Sequence, residues 1–152
     1  MISALIISLL WVQAYACNQH SHLAAENNSN NSTMVDTMKI KITIGQKVFT
    51  STVHNNATAS AFTAKLPLTI TMKELNGNEK YFDLPYNLPT NASNPGTIQA
   101  GDLMLYGSNT IVLFYKSFST SYTYTRIGRV DNPSGLAATL GSGNATVRFE
   151  VE

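Results

Sequence analysis

GDLMLYGSNTIVLFY, residues 101–115, decides the fold. Two apolar runs flank Gly107-Ser108-Asn109, which suits a tight turn, so the stretch reads as a β-hairpin. Side chains alternate along a strand, so Leu103 and Leu105 face one side and Met104 and Tyr106 the other. Gln99-Ala100-Gly101-Asp102 reads as the corner that feeds the hairpin. There Gly101 takes a positive φ and Asp102 accepts nearby backbone N–H bonds. The proline-restricted loop ahead of it, 88–96, is expected to border a cavity near Tyr106.

Working outward, the same alternation recurs. MKIKITI (38–44) puts Met38, Ile40, Ile42 and Ile44 on one face, and NATVRFEVE (144–152) does the same with Ala145, Val147, Phe149 and Val151. Gly45-Gln46 turns the first of these into KVFTSTV. Asn56-Ala57-Thr58 opens a short helix, capped by Asn56 or Thr58 and stopped by Pro67. LTITMKE (68–74) and KYFDL (80–84) flank the Asn76-Gly77-Asn78 turn. SYTYTRIGRV (121–130) reads as one strand. Asp131 or Asn132 is expected to cap a second helix from Pro133 to Leu140. The sum is a mainly β domain of about eight short strands and two short helices, which closes best as a barrel. Closure also removes exposed strand edges.

The order of these elements resembles the small bacterial and archaeal cyclophilin-like domain family. The residues that carry the resemblance are the initial strand pair, the helix ending in Leu66-Pro67-Leu68, and Gly101-Asp102-Leu103 leading to Tyr106. They continue with Ile111-Val112-Leu113-Phe114-Tyr115, Ile127-Gly128-Arg129-Val130 and the terminal helix and strand, so that 38–152 is covered. The resemblance implies a closed cyclophilin-like barrel and no established activity. True cyclophilins are peptidyl-prolyl isomerases that set an arginine against an amide whose rotational barrier is about 18–20 kcal/mol. Their Phe-His-Arg and Phe-x-x-Gln-Gly-Gly-Asp stretches do not occur here. Gln99-Ala100-Gly101-Asp102 is only a faint echo of the second, and Trp11 is the single tryptophan. No catalytic residue carries over.

The first 17 residues, MISALIISLLWVQAYAC, are uncharged and mostly apolar, too short a run to span a bilayer comfortably. Ala14-Tyr15-Ala16 fits a secretory cleavage site, and Cys17 follows as in the lipobox of bacterial lipoproteins. The expectation is a signal peptide (1–17), lipidation at Cys17, and a protein exported to the periplasm or cell surface. No Lys or Arg precedes the apolar run, so the natural start is expected upstream. Residues 18–37, rich in Asn and Ser, read as a flexible polar tether. One cysteine cannot form an internal disulfide, so the packed core must supply stability. Ten basic against nine acidic residues argue against nucleic acid and against polybasic membrane attachment. Membrane contact is expected only through a lipid on Cys17.

The candidate ligand surface is Tyr122-x-Tyr124-x-Arg126, whose period of two places three side chains on one strand face. Aromatics beside a guanidinium suit an anionic, aromatic or peptide ligand. Tyr106 and Tyr115 flank the hairpin and are expected to rim the same cavity. Arg129 falls on the opposite face unless a bulge intervenes. Glu74, Glu79 and Asp83 read as a solvated turn. His54 has no nucleophile or acid at readable spacing and forms no triad. His20 and His22 lack companions for a metal site. No metal and no cofactor are expected. The reading is a non-catalytic binding module for a small ligand or peptide segment, with a divergent prolyl isomerase as the alternative.

Overall fold

The computed structural model describes residues 37–152. The expected signal segment, Cys17, His20, His22 and all of the tether but Thr37 lie outside the described residues. Eight strands close into a barrel. In chain order they are β1 (Lys39–Ile44), β2 (Lys47–Val53), β3 (Leu68–Leu75), β4 (Glu79–Asp83), β6 (Asp102–Tyr106), β7 (Thr110–Phe114), β9 (Thr125–Val130) and β10 (Ala145–Val151). Around the wall the order is β1-β10-β3-β4-β7-β6-β9-β2, every pairing antiparallel. Two short strands outside the barrel, β5 (Thr97–Ile98) and β8 (Phe118–Ser119), pair with each other. The mainly β, closed, two-helix architecture expected from the sequence is the one observed.

The interior is built by period two. Ile40, Ile42, Ile70, Met72, Leu103, Leu105, Ile111, Leu113, Val147 and Phe149 all belong to one buried cluster. Helix α1 (Ala57–Thr63) follows β2 and precedes β3, so it closes one mouth. Asn56 is its cap, with Oδ1 accepting from Ala59 N–H at 2.9 Å while Nδ2 donates to the Arg126 carbonyl at 2.8 Å. Phe62 then meets Phe149 edge-on, centroids 5.6 Å apart. Helix α2 links β9 to β10 and closes the opposite mouth with Leu136 and Leu140. It is shorter than expected, Leu136–Leu140, and neither Asp131 nor Asn132 caps it. Asn132 Oδ1 instead accepts from Ser134 N–H, a local turn that delays the helix past Pro133.

The hairpin corner forms as its residues require. Gly101 has φ +93°, and Asp102 Oδ2 accepts the Gln99 N–H at 2.8 Å. A side chain at 101 would also crowd Val130 and Pro133.

One expectation is corrected, and the bulge on which the placement of Arg129 turned is present. SYTYTRIGRV is not one strand: β9 begins at Thr125, and residues 121–124 leave the wall. Tyr124 there makes an isolated antiparallel bridge to Ser93. Within β9 the partner of β6 jumps from Gly128 at Leu103 to Arg126 at Met104, so Ile127 bulges. The bulge exposes Arg126 and Arg129 alike and turns Ile127 and Gly128 both inward. Arg129 approaches the buried Asp102 carboxylate at 3.7 Å from that outer face.

Candidate functional site

Most strands of this barrel bury one face, but β6 and β7 bury both. Two-sided apolar strands require a cover on the outside. The outward residues Met104, Val112 and Phe114 form a second cluster with Ile98 and Tyr124, and Tyr81 and Phe118 pack against it. The cover is the segment that carries β8 and runs on to Tyr124. Phe114 meets Phe118 at 5.7 Å and Tyr124 edge-on at 5.5 Å.

This cover stops short of the β4 side, and a cleft of about 550 Å³ remains. Its floor is the outer face of β4, β7 and β6, which supplies Glu79, Tyr81, Asp83, Thr110, Val112 and Tyr106. One wall is Phe118–Tyr124 and the other is the turn after β3, with Leu75, Asn76 and Asn78. That volume lies within the usual range of small-molecule sites, about 300–1,000 Å³. Tyr106 sits 6.2 Å from Tyr122 and 5.6 Å from Tyr124, ring to ring. Lys73, opposite Tyr81 in the register, places its ammonium 5.8 Å from that ring.

Of the five residues singled out from the sequence, the cleft gathers Tyr106, Tyr122 and Tyr124. Arg126 is exposed on β9 and does not line it. Tyr115 points into the barrel, because it continues the inward series Ile111, Leu113. The 88–96 loop does not line the cleft either. Its part is indirect, through the Ser93–Tyr124 bridge.

Of the three acids only Asp83 is exposed, as a solvated turn would have it. Glu79 is only 9% exposed and lines the cleft. Among the described residues none donates a hydrogen bond to its carboxylate. Burial, and then the nearby Glu74 charge, push that carboxyl up to about 6. Asp83 accepts from Thr110 Oγ1 at 2.7 Å. Glu74 faces the interior, where the Lys80 ammonium donates to it. Lys80 is fully buried, and its other donors reach the carbonyls of Gly141, at 2.8 Å, and Gly143. Tyr115 completes this internal plug by donating to Glu74 Oε1 at 2.8 Å. Burial, then that bond to a carboxylate, push the Tyr115 hydroxyl up to about 12. Burial alone would raise Glu74. The bonds from Lys80 and Tyr115 outweigh it and hold the group below the ordinary carboxylate range.

The chemistry offered by the cleft is therefore aromatic and acidic. Its lining holds two carboxylates and no Lys, Arg or His. Asn78, beside Glu79, also lines it, and its buried Oδ1 accepts no hydrogen bond. Among the described residues no group of three or more His, Cys, Asp or Glu is placed to hold a metal ion. Sequence reasoning missed Glu79, Tyr81 and Phe118. The available signal was the double-sided apolarity of DLMLY and TIVLF, which announces an outer cover and hence a cleft at its edge.

The solution structure of a hypothetical protein from Archaeoglobus fulgidus is similar to this chain. The TM-score is 0.58 at 19% identity over 76% of this chain and 95% of that one, a likeness of fold. No curated protein matches the sequence. The model of the cyclophilin-like family matches residues 42–150, from within β1 to within β10. The chain belongs to the cyclophilin-like family.

Proposed function

We propose that this protein is a non-catalytic binding module that holds a small ligand or a peptide segment in the cleft on the outer wall of its barrel. One observation carries the reading. The outer face of β4, β7 and β6 is roofed over its apolar part and left open where Tyr81, Tyr106, Tyr122 and Tyr124 converge. Tyrosines supply large contact area with a polar tip at low entropic cost, a common lining for reversible binding. A two-dimensional NMR screen of a fragment library and of short peptides is the direct test. Shifts confined to cleft residues, lost in Tyr124→Ala, are expected, and a library that leaves the cleft unmoved would refute binding there. A protease-coupled assay on X-Pro peptides tests the non-catalytic half. No acceleration is expected, and turnover abolished by Tyr124→Ala would make the protein a prolyl isomerase.

The module is further proposed to work outside the cytoplasm, tethered by a lipid on Cys17. The support is the Ala14-Tyr15-Ala16-Cys17 pattern after an uncharged apolar run. Mass spectrometry of the membrane fraction decides it, since an unmodified Cys17 removes the anchor.

A further inference from the structure

The geometry points to a protonated organic amine with a compact apolar body as the ligand of the cleft, its ammonium group held by Glu79. This inference rests on the binding-module reading and names the ligand class of the same site. Three observations carry it.

The first is the polarity of the unmet hydrogen-bonding groups. Glu79 is nine-tenths buried, lines the cleft and receives no hydrogen bond among the described residues. A buried acceptor without a donor is costly, and an ionised one more so. What Glu79 needs is a donor, and a carboxylate needs a cationic one most. An ammonium with N–H bonds supplies two or three donors from one point. A quaternary ammonium supplies none.

The second is the aromatic surround. The faces of tyrosine rings attract cations, and this is strongest where water is excluded. Tyr124 is the buried part of that surround, and Tyr106, 5.6 Å from it, is the exposed rim. Tyr81 already draws the Lys73 ammonium to 5.8 Å on the neighbouring strand.

The third is what the lining lacks. Arg126 stands outside it, so the expectation of an anionic ligand, which rested on that guanidinium, is reversed. With Glu79 and Asp83 in the lining and no basic side chain in it, an anion would meet like charge. Val112 in the floor and Phe118 in the wall suit an apolar body.

Four probes share one body and differ at one end: phenethylammonium, its N,N,N-trimethyl analogue, 2-phenylethanol and 3-phenylpropionate. Each is titrated into the folded domain at neutral pH and followed by NMR. Phenethylammonium is expected to move cleft resonances at the lowest concentration, the quaternary analogue to bind more weakly, and the carboxylate least. Glu79→Gln should weaken the amine about tenfold or more, the order of a charge-assisted hydrogen bond, and leave the alcohol unchanged. Equal binding of alcohol and amine to the wild-type cleft would overturn the inference while leaving the binding module standing. Should Glu79→Gln fail to fold, that wild-type comparison decides alone. Tighter binding of Ac-Ala-Lys-Ala-NH2 than of the free amine would overturn the small-molecule assignment in favour of a lysine side chain.

Discussion

Glu79 and Lys80 are consecutive residues whose side chains leave opposite faces of the barrel wall. Glu79 pairs with Phe114 and faces the outer cleft, whereas Lys80 pairs with Leu113 and enters the core. The two charges do not meet. Each answers to its own environment, one to an open cleft and the other to a closed plug formed by Glu74, Tyr115 and the carbonyls of Gly141 and Gly143.

The inner charge predicts a strong stability effect. Lys80→Met keeps the apolar stem and removes three donated hydrogen bonds. Glu74 is then left as a partly buried charge without its cation, a loss of about 3–5 kcal/mol. Adding Glu74→Gln to Lys80→Met should restore part of it, because the orphaned charge is gone. Urea denaturation of the four corners of this cycle measures the coupling, and strictly additive effects would show that the pair contributes nothing jointly.

The outer charge predicts a pH effect of defined sign. Burial, and then the Glu74 charge, raise the Glu79 carboxyl from 4.5 to about 6 in the folded state. The folded protein therefore binds this proton more tightly than the unfolded chain does. Its contribution is fully present below 4.5 and is lost as pH rises towards 6, amounting to roughly 2 kcal/mol. Asp83, Tyr81, Tyr106, Tyr122 and Tyr124 share the cleft with it, and Glu74 lies across the wall. Glu74 and Asp131 are held below the ordinary range, so their contribution is lost only at lower pH. The stability difference between wild type and Glu79→Gln, measured from pH 4 to 7, should carry the slope, and a flat difference would show an unperturbed carboxyl.

Gly128, next to the bulge, lies where the pairing of β9 with β2 leaves no room for a side chain. A Cβ there would lie 2.7 Å from the Thr52 carbonyl oxygen and 3.2 Å from Ser51 Oγ. The nearer atom is backbone of the adjacent strand β2, so the strands themselves must part. Gly128→Ala should cost about 1–3 kcal/mol, the range for overpacking. Ser51→Ala in the Gly128→Ala background should recover little, because it leaves the Thr52 oxygen in place. By itself Ser51→Ala should be near neutral, since Ser51 Oγ is buried without a hydrogen-bond partner. Thermal melts of the three variants check this.

The sequence made the barrel legible because alternation is a local property. Ile40, Ile42 and Ile44, or Val147 and Phe149, declare their inner face without knowledge of any other strand. The cleft depends on facts that are not local. Tyr122 and Tyr124 alternate as strand residues do, yet the chain at 121–124 is drawn off the wall by apolar side chains on β6 and β7 that need cover. Arg126 follows them in sequence but stays behind on β9. Glu79 looks solvated beside Asn76-Gly77 until the β4–β7 register sets it against Phe114. Lys80 looks like any surface lysine until the same register turns it inward. A hydrogen bond across 61 residues, as from the Lys80 ammonium to the Gly141 carbonyl, leaves no trace in spacing.

Tyr124 is predicted to hold both the cover and the cleft. Its ring packs edge-on against Phe114 at 5.5 Å and tilted against Tyr106 at 5.6 Å, and its backbone bridges Ser93. Tyr124→Ala removes a buried aromatic from the outer cluster, a change that costs about 3–5 kcal/mol where the site cannot collapse. The barrel interior does not include Tyr124, so the loss should be uneven. Hydrogen exchange should quicken most in 118–124 and 93–98, while amides of β1, β3 and β10 keep their relative protection. Tyr124→Phe preserves the ring contacts and should leave that exchange pattern intact. Uniform acceleration across all strands in Tyr124→Ala would mean that cover and barrel unfold as one unit. The cleft would then be an inseparable part of the core, with no separately yielding wall.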